Sequence, residues 1–169
     1  QPDAAPFAID THVDTPQRML DAGDHIAARL PNGHLDLPRM REGGLSGAFF
    51  SIWVDPRRFR GEAAWARAQA LVGVVRGLVE RHPEASALCT TGDEVRAAVR
   101  AGKIAVLMGV EGLHALGTRD PALVMERLRA LVALGVRYAT ITWMNDNALG
   151  HSSTGAHPER GSALLSDDA

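Results

Sequence analysis

Apolar residues gather into four runs, at residues 7–14, 45–54, 104–110 and 136–143, and each reads as a strand. The third run, IAVLMGV, is apolar at every position, the pattern of a parallel strand covered on both faces. Between the runs the spacing changes. Across residues 62–80, Trp65, Ala68, Val72, Val75 and Val79 recur at steps of three and four, one face of an amphipathic helix. Thr91 with Glu94 has the spacing of a capping box, and Gly102 follows as a stop. Asp120 and Pro121 open another helix and Gly135 closes it. LPRMREGG reads as a short helix closed by Gly43 or Gly44, and a short extra strand and helix fall within residues 85–101.

Strands alternating with helices predict an α/β fold whose parallel strands are joined by right-handed crossovers. A closed (β/α)8 barrel takes about 250 residues, so the 169 residues are expected to form one domain, the N-terminal half of such a barrel. The final ERGSALLSDDA reads as a loop and a first helical turn, with Asp167 and Asp168 in it, that stops short as a truncation does. The Pro- and Ala-rich start at Gln1 fits a mature end left by a signal peptide, hence a periplasmic or secreted protein. It fits a trimmed cytoplasmic one equally.

Composition narrows the function classes. Eighteen basic residues stand against 20 acidic ones, and no basic stripe interleaved with aromatics suggests a nucleic-acid partner. No run of about 18 apolar residues offers a membrane span. The single cysteine, Cys89, excludes an internal disulfide framework, and its apolar setting ASALCTT predicts a buried, inert thiol. Glycine-rich phosphate loops, nucleophile elbows and CxxC pairs are absent, which leaves phosphoryl transfer and serine or cysteine catalysis without support.

The chemistry-bearing residues sit where strands end. In IDTHVDTP, regular alternation would put Asp10, His12 and Asp14 on one face. An imidazole and a carboxylate two positions apart at the C-terminal end of a barrel strand can reach one metal ion, or form a hydrogen-bonded polar cluster. Glu111 leaves the third strand at the same mouth in GVEGLHALG, as a metal-bridging carboxylate, a general base or a salt-bridged structural residue. Gly109 and Gly112 beside it suggest close approach by a ligand. His114, in the loop above, suits a structural or supporting role better than ligation. Trp143, Asn145 and Asn147, in TITWMNDN, form either a wall for a polar organic substrate or a capped loop with a packed indole. His25, His34, His82, His151 and His157 read as surface or loop residues, and VDPRRFRGE as a solvated loop.

Four segments together, IDTHVDTP, HLDLPRMREGGLSGAFFSIWV, GVEGLHAL and LGVRYATITWMNDN, resemble in order and spacing the N-terminal landmarks of the membrane dipeptidases. That resemblance implies a barrel of the metal-dependent amidohydrolase type with two zinc ions. His12 and Asp14 would bind the first and Glu111 would bridge both, while Trp143 and Asn145 would contact substrate. Two further histidines, an aspartate and an arginine would come from the second half of the barrel. Val13 stands where relatives often have Asn, but on the opposite face. Trp143 stands where the mammalian enzyme has a substrate-contacting histidine, and several bacterial relatives resemble this chain in having Trp there.

The implied activity is zinc-dependent hydrolysis of small dipeptides through a metal-bridging hydroxide, with Glu111 in the catalytic group. Residues 1–169 alone are expected to be inactive, needing the missing C-terminal half or pairing as a homodimer to cover open sheet edges. Two alternatives stay open: a related amidohydrolase acting on another amide or a lactam, and a non-catalytic barrel-fold binding protein.

Overall fold

The computed structural model describes residues 7–154. The segment before Phe7, His157 and the expected terminal helix opening lie outside the described residues. The elements in chain order are β1 (Ala8–Val13), α1 (Thr15–Asp21), α2 (Leu37–Glu42), β2 (Leu45–Trp53), α3 (Glu62–Arg81), β3 (Ser86–Leu88), α4 (Gly92–Arg100), β4 (Ile104–Glu111), a 3-10 turn (Leu113–Leu116), α5 (Pro121–Ala133) and β5 (Val136–Thr140). Among the described residues no helix is long and apolar enough to cross a membrane.

Every strand pairing is parallel. The order runs β1-β2-β4, and the far edge of β4 is shared. The short β3 pairs with residues 104–106, and β5 takes over from Met108 to Glu111. The extra strand thus occupies the lower part of an edge whose upper part belongs to the next main strand. β5 stops at Thr140, short of the expected 143, so Trp143 lies beyond the sheet.

Alternation along β2 and β4 separates two faces. On the outward face, Ala48, Phe50, Ile52, Val106, Met108 and Val110 are fully buried and cluster with Ala68, Leu71, Val72 and Val75 of α3. Each large side chain buried there contributes about 1.5–3 kcal/mol. Ala105 and Leu107 point the other way and meet Val95 and Ala98 of α4, with Ile9 and Phe49 alongside. The apolar third run is therefore covered on both sides, as its composition predicts.

Local signals explain most helix ends. Thr91 accepts from Glu94 N and the Glu94 carboxylate accepts from Thr91 N, completing the capping box. Asp120 accepts from Ala122 N, and Gly135 (φ 108°) supplies the reversal into β5. Asp36, not singled out from sequence, caps α2 by accepting from Arg39 N at 2.8 Å. The buried stripe of α3 is centred on Ala64, Ala68, Leu71, Val75 and Leu78, with Trp65 and Val79 at its margins. The seven-residue α1 is too short to show a period. Pro16 in its first turn and buried Met19 are its only marks. The loop VDPRRFRGE is less solvated than expected, since Phe59 packs against the core with Arg58 and Arg67 over its ring.

Candidate metal centre

At the C-terminal end of β1 the pairing with β2 slips: Asp10 opposes Ala48 and Val13 opposes Phe50, three residues against two. This bulge breaks the alternation on which the sequence reading of Asp10, His12 and Asp14 rested. Val13 turns into the outward core, as expected, at 8% exposure. His12 meets donors from two other elements, and Asp10 is not among them. The Asp10 carboxylate instead accepts the backbone N–H of His12 at 2.9 Å and braces the bulge.

Asp14 occupies the N-cap position of α1, where an aspartate ordinarily accepts a helix N–H. It makes no such bond. Its carboxylate turns instead to His12, Oδ1 lying 3.4 Å from Nε2. Glu111, the last residue of β4, approaches the same nitrogen, Oε2 to Nε2 3.4 Å. One ligand atom from each of His12, Asp14 and Glu111 lies within 4.8 Å of the others, and no other such group occurs among the described residues.

That spacing has chemical content. Charge-assisted hydrogen bonds contract to about 2.7–2.9 Å, so 3.4 Å is a slack contact for an imidazole between two carboxylates. Two ligands each about 2.1 Å from a tetrahedral ion stand roughly 3.4 Å apart. Electrostatics points the same way. Burial lifts the Glu111 carboxyl above its ordinary range and the nearby Asp14 adds to the shift, while His12 opposes it. A dication among these donors removes the conflict between the carboxylates. The donor set therefore fits a divalent metal.

Tyr138, the only tyrosine of the chain, is a member of the site that sequence reading missed. Its hydroxyl donates to Thr11 O at 3.1 Å and lies 3.3 Å from His12 Nδ1. Burial, then the charges of Glu111, Asp14 and Asp10, raise its pKa. Its only sequence signal is a hydroxylated aromatic within the last apolar run.

The two glycines beside Glu111 serve packing rather than ligand approach. A Cβ at Gly109 would lie 2.2 Å from Tyr138 Cζ. At Gly112 (φ 82°) it would lie 2.5 Å from the His114 ring and 3.1 Å from Trp143 Cβ. His114 stays outside the cluster, as its reading as a supporting residue anticipates: Nε2 contacts Val54 O at 2.7 Å, and burial lowers its pKa.

Trp143 packs edge-on against Trp53, centroids 5.1 Å apart. Asn145 lines a separate cleft of about 480 Å³ with Phe59, His114, Thr118 and Asn147, a lining that includes none of the three clustered donors. Asn147 takes the plain role of a loop brace, donating to Ile141 O and accepting from Leu149 N. Of the remaining histidines, His25 and His34 are exposed. His82 lies 3.7 Å from Glu84. His151 is more enclosed than a surface residue and pairs with Asp146 at 3.3 Å. Cys89 is buried as expected, its thiol pushed up to about 11 by burial.

Residues 4–165 match the family described as membrane dipeptidase (peptidase family M19). Dipeptidase verJ of Clonostachys rogersoniana is 32% identical over 169 residues, covering 90% of this chain and 42% of the relative. Dipeptidase ataJ of Aspergillus terreus is 33% identical over 135 residues, covering 76% and 32%. Among solved structures, a metallo peptidase from Rhodobacter sphaeroides, liganded with a phosphinate mimic of the dipeptide L-Ala-D-Ala, aligns with a TM-score of 0.74. The identity is 27%, over 88% of this chain and 48% of that one. The chain thus spans less than half the length of these relatives, on an α/β fold of the TIM-barrel type that it shares with them. The four motifs pointed to this family and the match runs through all of them: the chain belongs to the membrane dipeptidase family.

Proposed function

We propose that this chain supplies the first part of the active site of a zinc-dependent dipeptidase. The observation that carries the reading is the convergence of His12, Asp14 and Glu111 at the C-terminal mouth of a barrel-type sheet, where such folds keep their chemistry. His12 and Asp14 would hold one zinc, and Glu111 would be shared between two in the complete protein. A bound divalent metal supplies Lewis-acid polarisation of a carbonyl and acidifies water.

This chain's own residues prepare that chemistry. The bulge at β1 aims the His12 ring inward, and the missing capping bond leaves the Asp14 carboxylate available. Glu111 sits half-buried opposite them, so its charge acts in a medium that weakens it little. Trp143, held against Trp53 and beside Gly112, is the proposed substrate-facing group next to Glu111, and Asn145 would meet substrate only from the adjoining cleft. The remaining ligands, the proton-handling group and the carboxylate-binding group belong to the partner half of the barrel.

The test is elemental analysis of the full-length protein together with hydrolysis of a panel of dipeptides, N-acyl amino acids and lactams. The expected result is two zincs per chain and dipeptide hydrolysis that chelation abolishes and zinc restores. Zinc-loaded protein that cleaves another amide but no dipeptide would reassign the substrate class. Protein that binds no metal would overturn the reading.

A further inference from the structure

Tyr138 stands on β5, yet its hydroxyl meets β1. Between those strands lie β4 and β2, three gaps of roughly 4.8 Å, or about 14 Å in a flat sheet. A tyrosine crosses that interval only because the sheet curls inward, and the packing beneath the ring is built for the crossing. The ring lies over Gly109, where a Cβ would sit 2.2 Å from Cζ. Phe49 closes on it at a centroid distance of 5.0 Å. Glycine on one strand and an aromatic on the next hold the phenol in a single place.

What the hydroxyl touches there fixes the direction of two hydrogen bonds. A phenol has one proton to give. Thr11 O can only accept and, at 3.1 Å against 3.3 Å, is the shorter of the two contacts, so the phenol proton is assigned to it. The phenol oxygen then presents lone pairs to His12 Nδ1 at 3.3 Å, and Nδ1 must bring the proton to that contact. An imidazole with Nδ1–H carries its free lone pair on Nε2, the atom that faces Asp14 and Glu111.

We propose that Tyr138 is a positioning residue that holds His12 in its Nδ1–H form, presenting Nε2 to the metal. The inference rests on His12 being a metal ligand. Ligating histidines usually give their second N–H to a carboxylate, carbonyl or water, and removing such a partner typically costs about 10–100-fold in metal affinity. Here a phenol anchored to a backbone carbonyl takes that part. It adds no charge of its own to a site already holding two carboxylates.

The experiment uses the full-length protein, its Y138F and H12A variants, zinc Kd measured by competition with a chelator, and histidine-selective nitrogen-15 NMR of the zinc-loaded state. Y138F removes one oxygen and keeps the ring over Gly109. Expected is a zinc Kd weakened by about 10–100-fold. In the wild type the spectrum should show a solvent-protected Nδ1–H on His12, lost to fast exchange in Y138F. Y138F with wild-type Kd and the same protected signal overturns the inference, as does a wild-type spectrum in which His12 carries its proton on Nε2. That last measurement needs no variant, so a Y138F that failed to fold would leave the proposal exposed to refutation. H12A that keeps wild-type zinc affinity overturns the metal-site reading itself, a result distinct from either outcome with Y138F.

Discussion

The two faces of the sheet are made of the same strands and held together in opposite ways. The outward face is a dry, redundant core in which large side chains of β2 and β4 meet α3, with Phe50, Ile52, Met108 and Val110 wholly excluded from solvent. The inward face is thin toward its C-terminal end. Glycine stands at 109 where a side chain would ordinarily fill the layer, and a single tyrosine ring reaches across the vacated space. Many contacts share the load on the first face, so each is replaceable in kind. On the second, a few polar groups converge on one imidazole, so geometry there is specific and costly to disturb. Stability and chemistry are thereby assigned to opposite sides of one backbone.

That division is broken most severely at the polar end of the inward face. In the full-length protein, His12→Ala and Asp14→Ala should each remove at least one zinc, as read by elemental analysis. Turnover should fall by more than about a hundred-fold, beyond the range typical of residues behind a ligand. Retention of metal and near-normal rate in either variant would contradict the assignment.

The mirror experiment is Phe50→Ala on the outward face. Emptying a fully buried position should cost about 3–5 kcal/mol, seen as a lower denaturation midpoint. Zinc stoichiometry per folded molecule should stay unchanged. A Phe50→Ala protein that is as stable as its parent but has lost zinc would collapse the distinction between the faces. Gly109→Ala sharpens it further, since the added methyl would lie well inside the Tyr138 ring. Displacing the ring should cost about 1–3 kcal/mol by overpacking and weaken zinc in the manner of Y138F, although the hydroxyl is retained. Equal zinc affinity for Gly109→Ala and the parent would show that ring position is immaterial.

These contrasts explain which parts were legible in the sequence. The outward face writes itself as apolar runs and three-four spacing, so β1, β2, β4, α3 and α5 were placed within a few residues. Thr91, Asp120 and Gly135 mark helix ends by local chemistry, which needs no tertiary context. The convergence of His12, Asp14 and Glu111 is legible because strand ends collect such donors. The bulge at Asp10 was invisible because it depends on register with β2, a neighbour more than 30 residues away. Tyr138 was invisible for a similar reason: its partner lies 126 positions back, and only the curl of the sheet brings them together. What Gly109 and Gly112 make room for is likewise not legible, because sequence shows that a side chain is missing without showing what fills the room.

The smallest expected effect concerns His114, which belongs to neither face but joins the loop above β4 to the end of β2. Its Nε2 lies 2.7 Å from Val54 O, a contact that requires a proton on that nitrogen. Nδ1 is buried without a partner among the described residues. Charging the ring therefore means adding a proton at a desolvated position, and burial holds the pKa below the ordinary 6.5, with Val54 O and Asp55 only partly opposing. The unfolded chain has no such penalty and takes up its proton near 6.5. Between that value and the lower folded pKa, the unfolded state binds more protons, so stability falls as pH falls through this window and is fully present above it. Replacing His114 by Asn removes the titration, so the denaturation midpoint of His114→Asn should fall less steeply than that of the parent between pH 7 and pH 5. Parallel slopes for the two proteins would mean that His114 titrates as it does in the unfolded chain, and that the loop over the site is more open to water than its packing against Gly112 implies.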